Sequence, residues 1–488
     1  MKKYSLYIIT VLMSFGFTDC SDFLEQETGN RSSVDEQLAT KEGVVTALYG
    51  AYTSLENLLR SEAFTVYADL QGGNLSFSPT ASGTNKGQIS VSSNVENVYA
   101  FQDLALSSHF SSFYSSAYSV INQVNLILEF VPLLPNTSEQ DQAAIQAQCK
   151  TIRGYVHFLL LQLYAQNYTY TTDASHLGVV YQTLTLNSGI SYAERATVKD
   201  CFDFSISDLN DAISLYQQEN TLLEGPDYSY FNSYSAKALL ARIYLAQNNW
   251  EQAYQLANDI IENSGFTLSS SATYVEEWEN TDAPINEVLL EFSVPRDAEG
   301  NVGASMSAYY GINSVTNYGK YVASLDLITL FEENDVRKKL FISNQLATLY
   351  NDELVDETYY FTKKYQDNAG YIAFRLSELY FIRAEAAIYL KNETVAMQDI
   401  NTIKERAGAA RITTTANLLA ELLLEKRKEF CFEGHLFFDI ARTHQNVERN
   451  QGCISNVCSL SYPSPKFVLP IPQSSININS NLEQNESY

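Results

Sequence analysis

Aromatic rings beside amides and hydroxyls recur in two long stretches of this sequence that lack any core-forming period. The first, DLQGGNLSFSPTASGTNKGQ from Asp69, offers Phe77 with Asn74 and Asn85, and Tyr99, Phe101 and His109 follow before the next helical run. The second, VPRDAEGNVGASMSAYYGINSVTNYGK from Val294, offers Arg296, Tyr309, Tyr310, Asn313, Asn317 and Tyr318. An aromatic face covers the apolar side of a sugar ring and short polar side chains take its hydroxyls, a combination carried best by loops on a rigid scaffold. These residues are therefore the expected ligand site, although for any one of them the plainer role is pinning its loop to the body. Tyrosine and phenylalanine must supply the platform, since only two tryptophans exist. Trp250 belongs to a helix stripe and Trp278 precedes the strand-like EVLLEF.

Cysteine chemistry occurs twice. Lys2, Lys3 and a mainly apolar run through Phe17 have the form of a secretory leader over residues 1–19, too short for a comfortable membrane span, and Cys20 follows as an acylation site. Asp19 stands where a small residue is usual, and the alternative is a plain exported chain. Cys453 and Cys458, in CISNVC, are placed to close a small surface disulfide, against metal binding or free thiols. With six cysteines in 488 residues, the fold must rest on a core rather than on disulfides.

Several function classes are disfavoured. A net charge of −26 repels nucleic-acid phosphates. No apolar run beyond the leader is long enough to span a bilayer. No G-x-S-x-G, P-loop or H-E-x-x-H occurs, and the five histidines, at 109, 157, 176, 435 and 444, form no ligand-spaced pair. Acid pairs such as Glu276 with Glu277, or Glu333 with Asp335, are expected in any chain this acidic. Neither a catalytic residue, a metal site nor a cofactor is expected.

The positioning elements are helical. In SAKALLARIYLAQNNWEQAYQLANDIIENSGF, Ala236, Leu239, Leu240 and Ile243 form one stripe, and Trp250, Ala253, Tyr254, Ala257, Ile260 and Ile261 form another. A polar turn separates them and Gly265 stops the second helix. SELYFIRAEAAIYLKNETVAMQDINTIKERAG repeats the design, with a second IYL at Ile388. These are tetratricopeptide-like helix pairs, too far apart in the chain to be expected as neighbours in a regular array. Further helices are expected from Ser111 and Ala147, and strands at EVLLEFSV and ETYYFTKKY. The predicted fold is mainly α, a scaffold of such pairs with long inserted loops and minor β structure.

Four strings resemble the SusD/RagB family of outer-membrane nutrient-binding lipoproteins: CSDFLEQE at the mature start, RLSELYFIRAEAAIYL with INTIKERAG, EKRKEFCFEGHLFFDIAR, and FVLPIPQSSININSNLEQNESY at the end. Leu436, Ser475 and Ser480 depart from the family's usual residues. The resemblance implies a tether over residues 20–40 and one compact body built from 41–280 and 281–488. It also implies a surface lipoprotein facing outward that captures an oligosaccharide or, in some members, a peptide, and delivers it to a SusC-like TonB-dependent transporter; such proteins are not enzymes. Glycan is preferred over peptide because 34 tyrosines and Asn/Ser/Gly loops suit sugars. The competing class is a surface scaffold or adhesion protein with no small ligand. Glu425, Arg427, Glu429, Glu433, Asp439 and Arg442 are expected to fix helix packing through ion pairs, and His435 to be structural.

Overall fold

The computed structural model describes residues 34–187, 190–216, 222–280, 283–292, 306–365 and 370–488; Cys20 and Arg296 lie outside them. The first half runs α1 (Val34–Leu38), α2 (Lys41–Leu59), α3 (Glu62–Gly72), β1 (Leu75–Phe77), α4 (Ser93–Tyr99), α5 (Ser111–Phe130), α6 (Glu139–Tyr164), α7 (Val198–Leu215), α8 (Ser233–Ala246) and α9 (Trp250–Asn263). An excursion follows: α10 (Tyr274–Glu279), β2 (Val288–Phe292), α11 (Ser307–Tyr310), β3 (Ile312–Ser314), β4 (Asn317–Tyr318), β5 (Tyr321–Ala323), α12 (Leu325–Ile328), β6 (Phe341–Tyr350), β7 (Glu353–Thr362) and β8 (Tyr371–Arg375). The chain then returns to helices, α13 (Leu376–Tyr389), α14 (Glu393–Arg406), α15 (Leu418–Glu429) and α16 (Leu436–Arg442), and ends with β9 (Val447–Glu448), β10 (Ser459–Leu460) and α17 (Gln473–Ile478).

The helices stack in sequence: α2 on α5, then α6, α7, α8 and α9, and from α9 directly onto α13, α14 and α15. The α8–α9 and α13–α14 pairs are thus spatial neighbours, contrary to the expectation from their separation in the chain. The intervening excursion loops out and returns, so distance along the chain did not carry over into space. Arg242 of α8 reaches Glu378 of α13 at 2.6 Å, and Arg383 of α13 donates to Asn258 of α9 at 2.8 Å. Trp250 stacks on Tyr389 at 3.9 Å between ring centres. Tyr389 is 40% exposed because it sits at the helix end, where the stack gives way to solvent.

Local chemistry explains the pairs. Asn232 caps α8 by accepting from Tyr234 and Ser235 backbone N–H groups, and the Ser235 hydroxyl accepts in return from the Asn232 N–H, a reciprocal cap. Ala236, Ala253 and Ala257 are fully buried, so the helices approach closely. Gly265 and Gly408 take φ of 79° and 72° just past the helix ends, a conformation that favours glycine.

The strands form antiparallel pairs, β1 with β5, β2 with β8, β3 with β4, β6 with β7 and β9 with β10. One hydrophobic cluster runs from Leu38 to Leu482, joining both halves of the body. Leu38 lies in α1 and is 3% exposed, so the body begins before residue 41.

Beneath α15 lies a dense ionic lattice. Arg375 contacts Glu287 at 2.5 Å, Glu429 at 2.7 Å and Glu433 at 2.8 Å. Arg337 binds Asp335, Glu425 and Glu429 at 2.6, 2.5 and 2.9 Å. Arg406 meets Glu429 at 2.5 Å, and Lys364 meets Glu433 at 2.6 Å. Burial opposes ionisation of Glu429, but Arg406, Arg375 and Arg337 outweigh it and hold its carboxyl well below the usual range. Alongside, Asp439 joins Lys426 to Arg442, and Arg442 reaches Glu385 at 2.5 Å. These are packing ion pairs of the kind expected for the signature. Arg427 is the exception, hydrogen-bonded to Asn74 at 2.8 Å. His435 packs its ring on Phe430 at 4.6 Å.

Candidate ligand-binding face

The two inserted stretches meet where α3 begins. The Ser78 N–H donates to the Lys320 carbonyl at 2.9 Å and its hydroxyl to the Gly319 carbonyl at 2.8 Å, while the Tyr318 hydroxyl donates to the Pro79 carbonyl at 2.9 Å. These bonds sew the 78–92 loop to the β3–β4 hairpin. The Leu349 N–H donates to the Gly87 carbonyl at 2.9 Å, attaching the same loop to the β6–β7 hairpin. Gly87 has φ of 83°, and a Cβ there would lie 2.5 Å from the Leu354 side chain and 3.0 Å from the Leu349 nitrogen. Only glycine fits that approach.

Glu62 opens α3, where a carboxylate suits the positive helix end. It accepts from the Tyr321 hydroxyl at 2.9 Å and faces Lys320 Nζ at 3.4 Å. The Tyr309 hydroxyl donates to the Arg60 carbonyl at 3.1 Å, leaving a half-buried ring beside Glu62. His109 joins this group. Its Nε2 is buried without a partner among the described residues, and burial lowers its pKa against the pull of Glu62 and Asp103. A neutral imidazole is therefore held here, able to donate or accept one hydrogen bond.

Of the residues expected at the site, the structure keeps His109, Tyr309 and Tyr318 partly accessible, with Asn85, Asn313 and Asn317 exposed around them. The others among the described residues are corrected. Phe77 and Tyr99 are each 2% exposed, and their rings meet edge-on at 5.3 Å. Arg449 lies over Tyr99 at 4.0 Å and over Phe101 at 4.5 Å, covering both rings. Tyr310 is fully buried and donates to the Thr65 carbonyl at 3.2 Å. Asn74 is 1% exposed, donating to Asp69 at 2.7 Å and accepting from Arg427. These residues have no face left for a ligand; they anchor the stretches to the core. Sequence reasoning missed Glu62 and Lys320; Tyr321, 1% exposed, anchors the stretch as Tyr310 does. Lys320 is the last residue of the second stretch and was within reach, whereas nothing local marks Glu62.

The face can stack a ring and exchange hydrogen bonds. Among the described residues no cluster of three metal-ligating side chains occurs. The acid pairs are occupied structurally: Glu277 accepts from Ser269, Thr273 and Asn286, and Asp335 is bound by Arg337. The Cys453–Cys458 disulfide is formed, and the Gly452 carbonyl beside it accepts from Ser76 of β1 at 3.2 Å.

Comparison with known proteins decides the family. The SusD family model matches residues 337–488, and a SusD-like model, described as starch-binding associating with outer membrane, matches residues 22–245. The chain belongs to the SusD family. A SusD-like protein of Bacteroides ovatus is 22% identical over 391 residues, 71% of this chain and 68% of its own. The starch-binding protein SusD of Bacteroides thetaiotaomicron is 36% identical over 120 residues, 24% of this chain and 21% of its own. The crystal structure of a SusD superfamily protein from Bacteroides vulgatus superposes with a TM-score of 0.79 at 23% identity, covering 92% of this chain and 99% of that one. The SusD-family matches contribute the 78–92 loop and the β6–β7 hairpin, whereas the β3–β4 hairpin between them lies in neither.

Proposed function

We propose that this chain is a cell-surface glycan-binding lipoprotein that captures an oligosaccharide and passes it to a SusC-like TonB-dependent transporter in the outer membrane. The observation that carries the reading is the pair of SusD-family matches, of which the one over residues 22–245 is described by starch binding and outer-membrane association. The chemistry of the loop face agrees: Tyr309 and Tyr318 offer ring surface, and His109, Asn85, Asn313 and Asn317 offer hydrogen-bonding groups suited to hydroxyls. No helix among the described residues is long and apolar enough to cross a membrane. Attachment through acylated Cys20 would tether the body at the outer surface and raise its effective concentration at a neighbouring transporter.

The test has two arms. The mature body is melted in the presence of neutral oligosaccharide and peptide panels; at least one oligosaccharide series should raise the midpoint in proportion to concentration. Stabilisation by peptides alone would replace glycan with peptide as the ligand, and no response to either would favour a scaffold. Mild purification of the native lipoprotein should bring down an outer-membrane transporter, and Cys20→Ala should abolish membrane partitioning. Recovery of free monomer alone from intact outer membranes would contradict delivery.

A further inference from the structure

A groove of about 420 Å³ lies between α5, residues 180–186 with Ile190 and Ser191, and α17. Its size falls within the roughly 300–1,000 Å³ of small-molecule sites. Tyr114 and Tyr118 on α5 have their rings 5.0 Å apart, and Leu186, Ile190, Ile478 and Leu482 add apolar surface. Although the chain holds 57 acidic and 31 basic residues, no charged side chain among the described residues lines this groove. A charged ligand buried here would go uncompensated.

The walls are fixed by hydrogen bonds that leave other groups open. Asn122 donates to the Leu186 carbonyl at 3.4 Å and accepts from its N–H at 2.7 Å; the Tyr118 hydroxyl donates to the Val180 carbonyl at 3.0 Å; and Asn479 donates to the Ala193 carbonyl at 2.8 Å. By contrast, the side chains of Ser119, Gln123 and Ser475 line the groove with no hydrogen-bond partner among the described residues. Ser119 also lines a second cavity of about 240 Å³, bounded by α2 and α5, which extends to Ser61. Ser61 directly precedes Glu62 of the loop face. Along α5, Ser112 to Gln123 spans about 16 Å at the helical rise of ~1.5 Å per residue.

We propose that this uncharged tract is a second binding subsite for a neutral oligosaccharide, one end of which is held at the loop face; the proposal rests on the glycan-binding reading above. The rigid walls supply apolar contact, and Gln123, Ser119 and Ser475 supply hydroxyl partners at its open rim. Its signature is dependence on ligand length, since only a chain long enough to leave the loop face reaches the groove.

Calorimetry with malto-, xylo- and laminari-oligosaccharides of two to eight residues tests this on the parent, Ser119→Trp, Gln123→Ala and Tyr309→Ala. Ser119 is exposed on α5, so the tryptophan obstructs the tract without entering the core, and a thermal melt verifies each fold. Expected is a loss of ten-fold or more in affinity for the longest bound oligomer in Ser119→Trp, a smaller loss in Gln123→Ala, and no change for the shortest. Tyr309→Ala should weaken short and long oligomers alike. If the parent binds and both α5 variants match it at every length, the subsite is overturned while glycan binding stands. Preference for acidic oligogalacturonates over every neutral series would also overturn it, and a parent that binds no glycan overturns both.

Discussion

The lattice under α15 and the loop face at the start of α3 handle polar groups in opposite ways. In the lattice, Glu287, Glu425, Glu429, Glu433 and Asp335 are almost wholly buried, and each is met by arginine or lysine. On the loop face the cross-links run from side-chain hydroxyls to backbone carbonyls, as with Tyr309, Tyr318 and Ser78. Its exposed side chains are mostly amides and hydroxyls. The difference assigns the work: buried charge fixes how β8, α13, α14 and α15 sit together, while neutral groups stay accessible. Such a lattice is rigid because removing one member strands its partners, whatever the net worth of the intact pairs.

The largest effects should come from breaking the lattice. Arg375→Met leaves Glu287, Glu429 and Glu433 without a shared cation and should cost about 3–5 kcal/mol or prevent folding; denaturant titration measures it, and a loss near zero would remove the contrast between the regions. Tyr310→Ala should also cost about 3–5 kcal/mol, as a buried aromatic does. The neighbouring Tyr309→Ala should cost far less stability and act on binding. Parallel melts and titrations of the two variants separate anchor from platform, and equal destabilisation would erase that distinction.

Removing the Cys453–Cys458 bridge with Cys458→Ala should cost about 2 kcal/mol, from the short loop that it closes. A subtler effect sharpens the comparison by pH. Burial raises the carboxyls of Glu291 and Glu56 to about 7, against the opposing influence of the Gly370 N–H and Arg60 respectively. The folded state therefore binds protons more tightly there than the unfolded chain does. Their contribution is full below about pH 4.5 and is lost as pH rises through about 7. Glu429 has the opposite sign: its depressed folded pKa gives stability that is present above about pH 4.5 and lost on acidification. Glu291→Gln should flatten the stability profile between pH 5 and 8 without altering the acid limb, as denaturation at stepped pH values would reveal; an unchanged profile would rule out Glu291 as its source.

Much of the scaffold was legible in the sequence. Alanine and isoleucine at helical spacing marked α8–α9 and α13–α14, because amphipathic period is a local property. CISNVC likewise held both halves of its disulfide within a few residues. The site was less legible for a physical reason. Phe77 lies in a three-residue strand whose partner, β5, comes far downstream, and Tyr99 and Phe101 are covered by Arg449 from near the chain end. Loop composition announced aromatic rings but not which of them a distant residue would cover. The stacking of the two helix pairs was hidden in the same way, since the contact from Arg242 to Glu378 skips the whole β excursion.

The division of labour between buried charge and accessible neutral groups is tested most directly by calorimetric titration of the mature body with its bound neutral oligosaccharide at 0.05 M and 1 M NaCl. Exposed electrostatic attraction is strongly screened over that range, whereas contacts of rings, amides and hydroxyls with a neutral ligand are not. The account predicts saturable binding with a Kd that changes less than about two-fold between the two salts, a shift below roughly 0.4 kcal/mol. A ten-fold loss of affinity at high salt, or binding confined to charged ligands, would contradict it.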